Sequence, residues 1–187
     1  MPTLYDKMFF MKVGDHASES WEEILHRKRR EFESAGQIFW GYGGVACHPL
    51  TQAQPFARLA IEEQGGIALV MEPINSKAEP DIVPATEFSR DGINWEPLPE
   101  GVQVTGSRYA FVLDEIKPGE LDLDLGEYEI GIGPSRGKSA EDYLKGRTDK
   151  GCLIRSARSH LSLGRADTIR KVKFRAELKD PFAVLLR

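Results

Sequence analysis

No apolar run in this 187-residue chain approaches the ~20 residues that a membrane-spanning helix needs. The first residues, Met1-Pro2-Thr3-Leu4-Tyr5-Asp6, show no basic segment followed by an apolar core, so no secretory signal is expected. Cysteine is scarce: Cys47 and Cys152 are the only two, and they lie far apart. That excludes a disulfide framework and points to a reducing compartment. The expectation is a cytoplasmic protein with no membrane partner. Neither Cys-x-x-Cys nor His-x-x-x-His occurs, and Cys47, His48, Cys152 and His160 lack metal-ligand spacing, so no metal or other cofactor is expected. A Rossmann fingerprint, a kinase set and an EF-hand loop are also missing.

What is present is an ordinary globular composition, with 41% hydrophobic and 29% charged residues. The net charge of -4 conceals an asymmetry. Residues 1–50 hold 6 Lys/Arg against 7 Asp/Glu, residues 51–130 hold 5 against 16, and residues 131–187 hold 14 against 6. An acidic middle and a basic end can neutralise each other inside one fold, or they can leave a basic face for an anionic partner.

Pattern gives the elements. Residues 4–13 read as a buried strand. Ser20 and Glu23 form a capping box, an apolar stripe follows at helical spacing, and Gly36 ends the helix. Residues 37–42 read as a strand. A second helix is expected to begin at Pro55 and end at Gly65-Gly66. Residues 67–71 form a short strand, and residues 75–81 a polar loop. Short strands follow at 83–88, 93–98 and 107–116, then a turn at Lys117-Pro118-Gly119. Alternation resumes at 121–125 and 128–132. A short helix is capped by Ser139, residues 152–154 form a strand and 156–167 a loop. Residues 172–178 and 182–186 make two final strands broken by Asp180-Pro181. Residues 1–187 therefore read as one α+β domain, its helical front at 1–73 and its β-rich part at 74–187. Two N-terminal helices pack on a mostly antiparallel, partly closed, barrel-like sheet.

Chemistry concentrates in residues 37–56. Trp40 and Tyr42 fall on one face of a strand, and Gly43 and Gly44 let a ligand lie against backbone. Cys47 and His48 are a candidate thiol nucleophile and base, with His16, His26 and His160 as other bases. The glycine-rich segment 131–139 resembles a phosphate loop but has the wrong spacing, three or five residues before Gly137-Lys138-Ser139 where four are required. Arg136 and Lys138 there still suit an anion near a helix N-terminus. Lys171, Lys173 and Arg175 alternate on one strand face, at ~6.6 Å spacing, near that of phosphates along a nucleic-acid strand. Arg155, Arg158, Arg165 and Arg170 extend that basic segment. The alternative is that these cations face Asp122, Asp124 and Glu127 across the sheet.

The leading expectation is a binding module for a nucleotide or nucleic acid. It stacks a base on Trp40 or Tyr42 and holds phosphate with Arg136, Lys138 and the 171–175 face. A cysteine-dependent enzyme using Cys47 and His48 is the second. An acidic protein-interaction module, or nucleic-acid mimic, is the third.

Overall fold

The computed structural model describes residues 4–43, 48–79, 83–157 and 167–187. In chain order the elements are β1 (Lys7–His16), α1 (Trp21–Ala35), β2 (Ile38–Gly43), α2 (Leu50–Gln64), β3 (Ala68–Ala78), β4 (Glu87–Ser89), β5 (Glu96–Pro97), β6 (Tyr109–Leu113), β7 (Lys117–Asp124), a 3₁₀ turn (Leu125–Glu127), β8 (Tyr128–Ile130), α3 (Ala140–Tyr143), β9 (Lys150–Arg155) and β10 (Ile169–Leu186). No helix among the described residues is long and apolar enough to cross a membrane.

The capping box forms as its chemistry predicts. Ser20 Oγ accepts from the Glu23 amide at 3.2 Å, and the Glu23 carboxylate accepts from the Ser20 amide at 2.8 Å. Gly36 closes α1 with φ 69°, a conformation that glycine adopts without a Cβ penalty. Helix α2 departs from the expected start. It begins at Leu50 behind Pro49, and Pro55 lies inside it. Proline favours a helix start and not its interior, and here Pro49 is the cap residue just before the first turn.

One long strand, β10, organises the sheet. At Phe174 and Arg175 it is flanked by β3 and by β7, and at Leu185 by β4 and by β6. Its register shifts between Leu178 and Ala183, so Asp180-Pro181 bends one strand and does not separate two. The main path runs β2-β6-β10-β3-β1-β9-β8. Among the described residues only β1 and β3 pair in parallel, and that pairing continues to His16↔Ala78. It converts most of the expected 75–81 loop into strand. Lys117-Pro118-Gly119 likewise joins β7 against β10, where its missing amide is tolerated on a sheet edge.

Among the described residues no pairing joins β2 to β8, so the sheet is open. It nevertheless folds over itself. Phe9 of β1 meets Phe111 of β6 at 4.4 Å between ring centroids, although β3 and β10 separate those strands in the path. The main core lies in this fold, closed by Leu25 of α1 and by Ala53, Phe56, Ala57 and Ala60 of α2. A second core, with Phe10, Val70, Tyr128 and Leu144, covers the outer face of β1 and β3. A third, with Phe39, Phe88, Val112 and Val184, covers the outer face of β6 and β10. The expected barrel-like closure goes no further than this curl.

Candidate functional site

The residues singled out in the sequence separate in space. Tyr42 is core: it is 1% exposed, packs on Phe111 at 4.3 Å, and donates to the carbonyls of Phe10 (2.9 Å) and Gly151 (3.2 Å). Burial pushes its phenol well above the ordinary range. No base stacks on a ring so enclosed. His48 is buried too, and its Nε2 accepts the Cys152 amide at 2.8 Å. That nitrogen is therefore occupied, which places the ring proton on Nδ1. Gly44, Cys47, Arg158, His160 and Arg165 lie outside the described residues, so the pairing of Cys47 with a base is not on view. Cys152 is a buried thiol whose pKa burial raises strongly, the reverse of an activated nucleophile.

The expected cations do not meet the rings. Arg136 and Lys138 are exposed on the turn between β8 and α3. This turn also carries a Gly-x-Ser-x-Gly spacing, Gly133 to Gly137. A nucleophile elbow needs a strand feeding a helix in a parallel sheet, whereas β8 is antiparallel and α3 has four residues. Lys171 pairs with Asp122 across β7 and β10 at 2.7 Å, the cross-strand neutralisation weighed above. Arg175 pairs with Glu177 at 2.5 Å and lies over the Tyr5 ring. Lys173 is exposed.

Trp40 and Gly43 open instead on a different hollow. A cavity of about 290 Å³ lies between the end of β1, α1, β2, the 103–107 segment and the start of β9. Met11, Val13, Ile24, Trp40, Ile74 and Val104 give it an apolar interior. Trp40 is nearly buried and donates its indole N–H to Met11 Sδ at 3.1 Å. Gly41 is required for the close approach of the 103–107 wall, since a Cβ there would meet Ser107 Oγ at 2.5 Å. Gly43 has φ 126°, and a Cβ on it would stand 3.4 Å from Lys150 Nζ. No protein-family model, curated protein or solved structure matches this chain. The geometry of the cavity therefore carries the functional argument.

Two buried charges hold one wall of it. Lys28 and Glu31 sit one turn apart on α1, 3.0 Å from each other. Lys28 Nζ donates to the carbonyls of Phe39 (2.5 Å) and Gln103 (2.8 Å). Glu31 accepts from the amides of Phe39 (2.8 Å) and Gln103 (3.3 Å). The pair thus stands where a neighbouring strand would, satisfying both peptide groups of edge strand β2 and of the 103–107 segment. Burial lowers Lys28 to about 8, against the opposing pull of Glu31. Arg27 adds a second bond to Gln103 O, at 3.2 Å, while held by Glu19 at 2.8 Å.

His16, Arg27, Asp149 and Lys150 line the mouth, with Asp15 beside them. Burial lowers the His16 pKa, and Lys150 and Arg27 add to the effect. Among the described residues the His16 ring has no hydrogen-bond partner. Lys150 holds one carboxylate, Asp149, at 3.3 Å. Sequence reasoning named Trp40, Gly43 and a candidate base at His16. It gave no site role to Lys28, which falls on the core-facing stripe of α1, nor to Arg27 and Lys150, which look like ordinary surface cations until the helix, the strand and the wall are assembled. The usable signal was the i, i+3 Lys28–Glu31 pair on the otherwise apolar side of α1.

Proposed function

We propose that the cavity binds a small anionic ligand with a planar ring, of mononucleotide size. One arrangement carries this reading: Trp40, the glycine-rich walls and the cations Arg27 and Lys150 border the same hollow. An apolar interior with a few convergent polar groups is the usual form of a ligand site, and about 290 Å³ falls at the lower edge of the usual ~300–1,000 Å³. That size suits a single nucleotide unit and not a length of nucleic acid. Arg136, Lys138, Lys171, Lys173 and Arg175 lie outside the cavity lining, so they serve this reading only if a polymer continues over the surface.

Thermal unfolding with a panel of ribonucleoside monophosphates, and with a single-stranded oligomer, tests the proposal. A monophosphate at roughly ten times its Kd should raise Tm by about 3–6 °C. Thr105→Trp, which fills the cavity from its 103–107 wall, should abolish the shift while the protein still unfolds cooperatively. A shift of equal size in Thr105→Trp contradicts the proposal.

A further inference from the structure

The mouth of the cavity has a feature that ring binding does not use. His16 stands at the end of β1, where a parallel strand, a helix and an antiparallel strand meet. From β1 and the turn after it come Asp15 and Glu19, from α1 comes Arg27, from β9 and the residue before it come Lys150 and Asp149, and from β3 comes Lys77. Most of these charges already have a fixed partner. Arg27 is held by Glu19 through two bonds, Asp15 accepts from the Trp21 amide at 3.3 Å, and Lys77 pairs with Glu79 at 3.0 Å. Among the described residues, the remaining groups are the half-buried imidazole, which has no hydrogen-bond partner, and Lys150, which is held by Asp149 alone.

Burial, with Lys150 and Arg27 adding to it, disfavours the imidazolium and leaves His16 a poor anion ligand by itself. An anion seated among the three reverses that balance. Its charge offsets Lys150 and Arg27, accepts from the ring N–H, and favours the imidazolium. A ring-bearing ligand with its flat part toward Trp40 brings its charged end to this mouth. A phosphate monoester suits the place better than a carboxylate, since its dianion has oxygens enough for His16, Lys150 and the two Arg27 N–H groups that Glu19 and Gln103 leave over.

We propose that the mouth is a phosphate subsite, at which His16 takes up a proton as the ligand seats between Lys150 and Arg27. The proton comes from solvent and returns to it on release. This inference rests on the reading of the cavity as a ligand site and adds to it the charged end and its pH dependence.

Calorimetric titration with adenosine 5′-monophosphate and with adenosine, in buffers of different ionisation enthalpy between pH 6.5 and 7.5, tests it. The parent protein should bind the monophosphate at least tenfold more tightly than adenosine. It should take up between about one-half and one proton per ligand, and lose affinity by up to tenfold over that pH unit. His16→Gln should bind the monophosphate with little uptake and less than a twofold pH effect. Lys150→Met should weaken the monophosphate about tenfold and leave adenosine unchanged. Equal binding of monophosphate and adenosine overturns the phosphate subsite and the anionic part of the cavity proposal, and leaves its ring-binding part standing. Undiminished uptake in His16→Gln overturns the role of His16, the proton then going to the phosphate itself. Binding of neither ligand overturns both proposals.

Discussion

At the scale of single residues, the Lys28–Glu31 pair is a buried ion pair and an informative one to perturb. Two charges are taken out of water, and four peptide groups depend on them. Lys28→Met leaves Glu31 buried without its cation and should cost about 3–5 kcal/mol. Glu31→Leu should cost a similar amount for the mirror reason. The double variant should be less destabilised than the two losses added together, by at least ~1 kcal/mol, because the second change removes a charge that the first had already orphaned. Urea melts of the four proteins check this. Strict additivity would mean that the two side chains act independently. His16 supplies a test by pH. Its folded pKa lies below the ordinary value of 6.5, so the unfolded chain binds the proton first as pH falls. Stability should therefore drop below about pH 6.5, and His16→Gln should remove that part of the drop.

At the scale of elements, glycine contacts separate walls that yield from walls that do not. A Cβ on Gly41 would meet Ser107 Oγ at 2.5 Å and Ser107 Cβ at 3.0 Å, both side-chain atoms. A Cβ on Gly14 would meet the Ser76 carbonyl oxygen at 2.6 Å, which is backbone. Gly41→Ala should cost about 1–3 kcal/mol and be largely restored by Ser107→Gly, whereas Gly14→Ala should not be restored by Ser76→Gly. Denaturant melts of the two pairs distinguish these cases. The same local-versus-distant contrast explains how far the sequence could be read. Helix α1 is written locally, in Ser20, Glu23 and Gly36, and it forms as read. The Lys117-Pro118-Gly119 turn and the 75–81 loop also follow local chemistry, but strands β10 and β1 recruit them through pairings that no short window contains. Trp40 was legible as an unusual residue on a strand. Its association with Lys150 and Arg27 was not, since it depends on the sheet folding over itself.

At the scale of the whole molecule, the opposed charge blocks meet at a few points across the sheet. Lys171 meets Asp122, and Arg155 meets both Asp6 and Glu127. These pairs are exposed, each is worth at most ~1 kcal/mol, and salt screens them. Among the described residues Arg136, Lys138 and Lys173 of the basic end stay exposed, while the cavity beside Trp40 brings a ring, glycine backbone and cations together. Amide chemical-shift mapping with adenosine 5′-monophosphate tests this most directly. The account predicts that the largest saturable shifts fall on the Trp40 indole N–H, Gly41, Gly106, Ser107 and Lys150. Shifts confined to Arg136, Lys138 and the 171–175 face, with Trp40 unmoved, would contradict it.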